Sequence, residues 1–283
     1  MDGSPAHRAP SPATAELPAI GPPPSTPAAV LGGLRAAIML LSRLPVGRGD
    51  LSPAARRWAS AWFPLVGAAL AATAGVVADL VTPALGSFLA AVLALGVFAA
   101  LTGALHEDGL ADTADALGGA RDRAQIFVIL KDSRHGTYGV LALALVLLIR
   151  LGALDRLQAI TTGLTALLLA GLLSRLALTW MLFSLPYVTP AGSARSADVA
   201  HGGTGQVVLA TALALACLAA LGVSAALPWA SLVTATVVTL GTATGLGLVF
   251  FRRAGGITGD FLGATAQLTE AATLLALVAL HPR

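Results

Sequence analysis

The chain has 283 residues, 56% of them hydrophobic and only 11% charged, with a mean hydropathy of +0.82, whereas soluble domains carry about 25% charged residues. This composition excludes a soluble globular protein and, beyond the N-terminal stretch, a disordered one. Sixteen arginines and one lysine against 14 acids leave a formal charge of +3, too even a balance for a nucleic-acid binder, and the single cysteine, Cys217, excludes a disulfide framework or a Cys-based metal site.

Residues 1–27 (MDGSPAHRAPSPATAELPAIGPPPSTP) combine prolines with Ser, Ala and Thr, show no apolar period and are predicted to be a disordered tail. Cleavage as a signal peptide is not expected, because no positive start precedes an apolar run and Arg35 interrupts the next one. Residues 28–283 are predicted to form one transmembrane catalytic domain. The stretch from Ala28 to Leu44 is apolar but short and carries Arg35 and Arg43, which suits a helix in the membrane interface as well as one that spans. Apolar runs at about 59–82, 86–105, 138–154, 160–186, 207–228, 231–251 and 261–280 each have the length of a crossing. The last is weakened by Gln267 and Glu270. The predicted fold is therefore all-α, a polytopic helical bundle of about seven crossings, within a range of six to eight, plus an interfacial N-terminal helix.

Seven crossings put Arg43, Arg48, Arg56 and Arg57 on the same side as Arg121, Arg123, Lys131, Arg134, Arg195, Arg252 and Arg253. The positive-inside rule makes that side cytoplasmic. The loop with Arg150, Asp155 and Arg156 is the one discordant element.

Six of the 14 acids fall between Glu107 and Asp132, at the mouth of a predicted crossing. Asp108, Asp112 and Asp115 are spaced i, i+4, i+7, which on a helix places three carboxylates on one stripe. Such a stripe repels itself when empty and suits a hard divalent cation, Mg²⁺, that bridges protein to phosphate oxygens. Glu107 lies off the stripe, either a substrate contact or further ligand or a solvated acid. His106 is placed to accept a proton from an attacking hydroxyl or to orient an acid, and the sequence leaves both open. Downstream, LKDSRHGTYG sets Lys131, Asp132, Ser133 and Arg134 ahead of Gly136 and Gly139, a pattern suited to holding a diphosphate. Arg175, deep in an apolar run, must face a polar cavity or pair with an acid. GGITGDFLGA brings Asp260 to the same side as the aspartate stripe, with Glu270 further along. The residues together indicate a Mg²⁺-dependent membrane enzyme acting on a phosphate-bearing substrate.

The strings GALHEDGLADTADALGG and ILKDSRHGTYGVLAL, with LLSRLPV, WFPLVGA and GGITGDFLGATAQLTE, resemble the adenosylcobinamide-GDP ribazoletransferase family, also called cobalamin synthases, over essentially everything from about residue 30 onward. Ala116 and Glu107 depart from the family's usual glycine and apolar residue but leave the aspartate stripe intact. The resemblance implies that a ribose hydroxyl of α-ribazole, or of its 5'-phosphate, attacks adenosylcobinamide-GDP, releasing GMP and forming adenosylcobalamin or its phosphate. In such a reaction, positioning and charge neutralisation dominate. It further implies Mg²⁺ on Asp108, Asp112 and Asp115, Lys131 and Arg134 against the leaving GMP, and His106 or an aspartate as proton acceptor, with Arg43, Asp132, Arg175 and Asp260 as further candidates. The corrinoid is a substrate, membrane lipid surrounds the protein, nucleic acid is not a partner, and a homo-oligomer is left open.

Two other classes compete. CDP-alcohol phosphotransferases also place acids at a helix mouth, but with an Arg shortly after the DG and wider spacing, where this chain has DGLAD. A cation-coupled transporter would scatter its acids over several crossings near the midplane, whereas these cluster in one segment.

Overall fold

The computed structural model describes residues 26–47, 51–132, 134, 136–188, 203–224 and 226–281. The predicted tail lies outside them up to residue 25, as do Ser133 and Arg195. The described residues form ten helices: α1 (Pro27–Leu41), α2 (Pro53–Arg57), α3 (Ala59–Thr102), α4 (Leu105–Gly119), α5 (Arg123–Ile129), α6 (Thr137–Leu157), α7 (Gly163–Ser184), α8 (Thr204–Val223), α9 (Trp229–Ala254) and α10 (Gly259–Ala279). Six of these, α3 and α6 to α10, are long and apolar enough to cross a membrane, and the chain is an integral membrane protein.

One of the six counts twice. As a straight rod the 44 residues of α3 would measure about 66 Å, roughly twice the hydrocarbon thickness. Gly86 interrupts the helix at φ 78°, ψ 165°, a conformation open to glycine and closed to other residues. Arg175 of α7 packs both against Gly67, before the break, and over the ring of Phe98, after it. In an unbroken helix those two positions would stand about 46 Å apart. α3 is therefore a helical hairpin whose arms are the predicted crossings 59–82 and 86–105, and the bundle has seven crossings.

The first arm packs antiparallel along α7 through residues small enough for backbone approach. Thr179 donates to the Ser60 carbonyl at 2.8 Å, Gly67 faces Gly171, and Gly75 faces Gly163. Close packing of this kind replaces the hydrophobic drive that lipid cannot supply between helices. At the far end, the Asp79 carboxylate accepts the Gly163 and Leu164 amides at 2.6 and 3.0 Å, capping α7. The second arm runs beside α6, with Ser87 donating to Asp155 at 2.5 Å.

At 15 residues, α1 is about 22 Å long, too short to span. It leans on the start of α3, where Trp62 Nε1 donates to the Val30 carbonyl at 2.8 Å. α10 is the least apolar crossing because its polar residues face inward. Thr265, Thr269 and Thr273 donate to carbonyls one turn back at 2.6–2.8 Å, which satisfies hydroxyls that hydrocarbon would leave bare.

A Cβ on Gly67 would lie 2.6 Å from the Gly171 carbonyl oxygen, whereas one on Gly96 meets nothing within 4 Å. Gly67→Leu is accordingly expected to lose the monodisperse peak in detergent size-exclusion chromatography, and Gly96→Ala to keep both peak and thermal midpoint. Identical behaviour of the two variants would refute the close α3–α7 contact.

Candidate active site

The acidic motif is helical as its spacing requires, and two left-handed residues aim it. Gly103 (φ 67°) and Ala104 (φ 56°) turn the chain from α3 into α4, and Ala104 is the one non-glycine with positive φ among the described residues. Such a conformation persists only where the surroundings enforce it. Here the Arg43 side chain lies on Gly103, where any Cβ would overlap it, and the Arg43 amide donates to the Leu101 carbonyl at 2.8 Å. At its other face α4 crosses α10 with Gly109 against Gly263, their Cβ positions within 3.1 Å of each other's Cα.

A cavity of about 830 Å³ opens between the end of α1, the α3–α4 turn, α7 and α10. Four residues singled out from the sequence line it together: Arg43, His106, Asp108 and Asp260. Asp112, one turn beyond Asp108, joins Asp108 in repelling the Asp260 carboxylate. The acids nearest one another thus come from two helices, Asp108 and Asp112 on α4 and Asp260 on α10. Among the described residues, no group of three or more His, Cys, Asp or Glu side chains is arranged to enclose an ion unaided.

Asp115 does something the stripe did not predict. Its carboxylate accepts the Gly136 amide at 2.6 Å and the Gly139 amide at 2.9 Å, so it is buried as the cap of α6. This ties the α5–α6 turn to α4. In that turn Lys131 is exposed, and Asp132 is bound to Arg134 through an ion pair of 2.6 Å. The guanidinium and amide of Arg134 hold the Asp132 carboxyl down at about 2. None of the three lines the cavity.

Glu107 and Arg175 lie behind the cavity in a buried ionic network. Arg175 pairs with Glu270, and Arg150 reaches the other Glu270 oxygen at 2.7 Å. Arg150 also contacts Gln267 at 2.5 Å and Glu107 at 3.8 Å, while the Gln267 amide donates to Glu107 at 3.0 Å. Two cations and two carboxylates balance, as charges buried away from water must, and the Phe98 ring lies 5.8 and 5.2 Å from the Arg150 and Arg175 guanidinium carbons. Arg175 therefore meets the acid its position in an apolar run demanded. Glu107 faces this network and is not among the residues lining the cavity.

His106 joins network to cavity. Its Nδ1 faces Arg175 Nη2 at 3.3 Å, and burial beside Arg175 and Arg150 pushes its pKa well below 6.5. A guanidinium can only donate, so Nδ1 accepts and the proton of the neutral ring is on Nε2. The sequence reading missed Arg150, Gln267 and the cavity residue Tyr187. Arg150 was nevertheless visible as the charge that violated the loop rule, and the structure removes the violation by placing it inside α6.

A family model described as cobalamin-5-phosphate synthase matches residues 33–278. An adenosylcobinamide-GDP ribazoletransferase from Sinorhizobium sp is 39% identical over 251 residues, 85% of this chain and 93% of that protein. One of the same description from Pseudomonas paraeruginosa is 41% identical over 256 residues, 87% and 98% of the two chains. No solved structure matches the chain.

Removing one partner of a buried pair costs about 3–5 kcal/mol, so Arg175→Met should lower the unfolding midpoint in detergent sharply, whereas Arg134→Ala, at an exposed pair, should leave it in place; equal midpoints would refute the network. His106 yields a pH dependence. Its pKa is lower folded than unfolded, so the unfolded chain binds the extra proton, and stability present above about 6.5 is lost as pH falls. The midpoint is expected to drop between pH 7 and 5, with a shallower slope in His106→Asn; the same slope in both proteins would count against a buried neutral ring.

Proposed function

The chain belongs to the cobalamin-5-phosphate synthase family, and we propose that its chemistry takes place in the cavity between α4, α7 and α10. The activity is that of an adenosylcobinamide-GDP ribazoletransferase in cobalamin synthesis. A ribose hydroxyl of α-ribazole, or of its 5'-phosphate, attacks the cobinamide-side phosphorus of adenosylcobinamide-GDP. The new O–P bond forms as the bond to the leaving GMP breaks, GMP keeps the bridging oxygen, and the hydroxyl proton passes to a carboxylate of the cavity. Adenosylcobalamin, or its 5'-phosphate, is the product.

The observation that carries the site is the convergence of Arg43, His106, Asp108 and Asp260, drawn from three distant parts of the chain, on one cavity. The acids at and beside it fit Mg²⁺: Asp108 and Asp260 in the lining, with Asp112 one turn along α4, would offer hard oxygen ligands crowded enough to repel, and substrate phosphate oxygens and water would complete such a shell. When bound, Mg²⁺ supplies neutralisation of the diphosphate charge. Asp115 serves the site by holding the α5–α6 turn against α4, from which Lys131 and Arg134 meet the guanosine phosphate as it leaves, with Asp132 steering Arg134. Arg43 holds the diphosphate from the opposite side of the cavity. His106 orients rather than accepts the proton, because a ring that is buried, and stands beside two guanidinium groups as well, resists a positive charge. A carboxylate of the cavity takes that proton instead. Glu107 and Arg175 act on substrate only through α4 and His106. The protein resides in the bacterial inner membrane with this cavity toward the cytoplasm, in keeping with Arg43, Arg56, Arg57, Arg252 and Arg253 at the same end of the bundle.

In liposomes supplied with adenosylcobinamide-GDP, α-ribazole and Mg²⁺, the protein is expected to form a cobalamin product. Asp108→Ala and chelation by EDTA should each lower the rate by at least about 100-fold. Full activity in Asp108→Ala would overturn the assignment of the cavity, and full activity in EDTA that of the metal.

A further inference from the structure

We propose that the apolar side of this cavity seats the planar base of the acceptor nucleoside, so that the smaller substrate lies within the protein while the corrinoid nucleotide presents only its diphosphate. The inference rests on the ribazoletransferase reading above and names the subsite of one of its two substrates.

The cavity has two unlike sides. Helices α4 and α10 contribute His106, Asp108 and Asp260 beside Leu105 and Leu262, whereas Leu41 of α1, Phe63 of α3, and Leu178 and Leu182 of α7 form an apolar wall whose most exposed member is Met39. Two hydroxyl groups of the lining already donate to the backbone. Ser42 donates to the Ile38 carbonyl at 2.7 Å and Thr102 to the Phe98 carbonyl at 3.0 Å. A ligand face resting on the wall must therefore satisfy its own polar atoms elsewhere or have few.

Three ring systems meet in the reaction. Guanine carries donors and acceptors along its pairing edge, and the corrin ring is fringed with amides; either would lose those bonds against leucine and phenylalanine. The dimethylbenzimidazole of α-ribazole is flat and, apart from one ring nitrogen, apolar, so the wall suits it alone. Size agrees, because 830 Å³ falls within the roughly 300–1,000 Å³ of sites that enclose a small ligand. With its base on the wall, the nucleoside directs its ribose toward Asp108 and Asp260, where the attacking hydroxyl is needed.

Steady-state kinetics of the full-length protein in liposomes, with each substrate varied in turn, test this assignment. Leu182→Asn and the milder Phe63→Leu are expected to raise KM for α-ribazole, by about tenfold in Leu182→Asn, with KM for adenosylcobinamide-GDP held within about twofold. With the unmodified protein, 5,6-dimethylbenzimidazole should compete with α-ribazole and not with adenosylcobinamide-GDP, a measurement that stands even where a variant fails to fold. A rise confined to KM for adenosylcobinamide-GDP, or competition of the free base with it, would assign the wall to the corrinoid nucleotide and overturn the proposal. Unmoved KM values in both folded variants would overturn it in favour of lipid on that wall. Absence of any product from the unmodified protein would overturn the ribazoletransferase reading itself, and this inference with it.

Discussion

Glu270 is the point at which this bundle is most constrained. A carboxylate within a membrane crossing cannot be hydrated, so it must be matched, and it is matched by guanidinium groups from two different helices, Arg150 of α6 and Arg175 of α7. Glu107 then balances the second cation and draws α4 into the same cluster. Four helices, α4, α6, α7 and α10, are thereby fixed by one requirement, that no charge be left alone in a medium of low dielectric. Leucine contacts can slide by a turn at modest cost, whereas displacing one member of a buried ion network leaves its partner's charge alone.

The consequence for the site follows from helix geometry. Consecutive residues on an α-helix are turned by about 100°, so when Glu107 faces Arg150, Asp108 is carried round to the cavity. The network thus sets the angle at which α4 presents its acids, and the glycine crossing at Gly109 and Gly263 sets their distance from Asp260. Network charges and cavity-facing charges are neighbours in sequence and have different surroundings: Glu107 pairs within protein, while Asp108 lines the cavity together with Asp260. The Gly103–Ala104 turn completes the geometry from the other end, where Arg43 packs on the one position with no side chain.

Much of this was legible in the sequence. Run length gave the crossings, including the two in α3, because hydrocarbon thickness is a fixed ruler. The need of Arg175 for an acid could be read from its depth, since an unpaired cation there is costly. Which acid it meets could not be read, because Glu270 is 95 positions away in the chain and pairing across a bundle depends on helix rotation. Glu107 was ambiguous for the same reason: off the aspartate stripe, it could face water, ligand or protein, and the rotation of α4 decided. Lys131, Asp132 and Arg134 read as a cluster by adjacency, yet a turn projects its side chains in several directions, and Asp132 and Arg134 pair with each other while Lys131 stands apart from that pair.

At Asp115 the spacing and the observed contacts point to different tasks. The i, i+4, i+7 spacing does align three carboxylates, but from Asp108 to Asp115 the stripe extends about 10 Å along the helix axis, while Mg²⁺ holds its oxygens at about 2.1 Å. One ion cannot be ligated at both ends of such a stripe unless the side chains bend far toward each other. A third acid is better drawn from a helix that crosses the stripe, and α10 crosses at Gly109 and brings Asp260 alongside Asp108 and Asp112. Asp115 is then free for a different electrostatic task, accepting the amides at the start of α6, where the helix dipole favours a negative charge. The same residue type on one helix therefore serves two purposes, one beside the crossing helix and one at the start of α6.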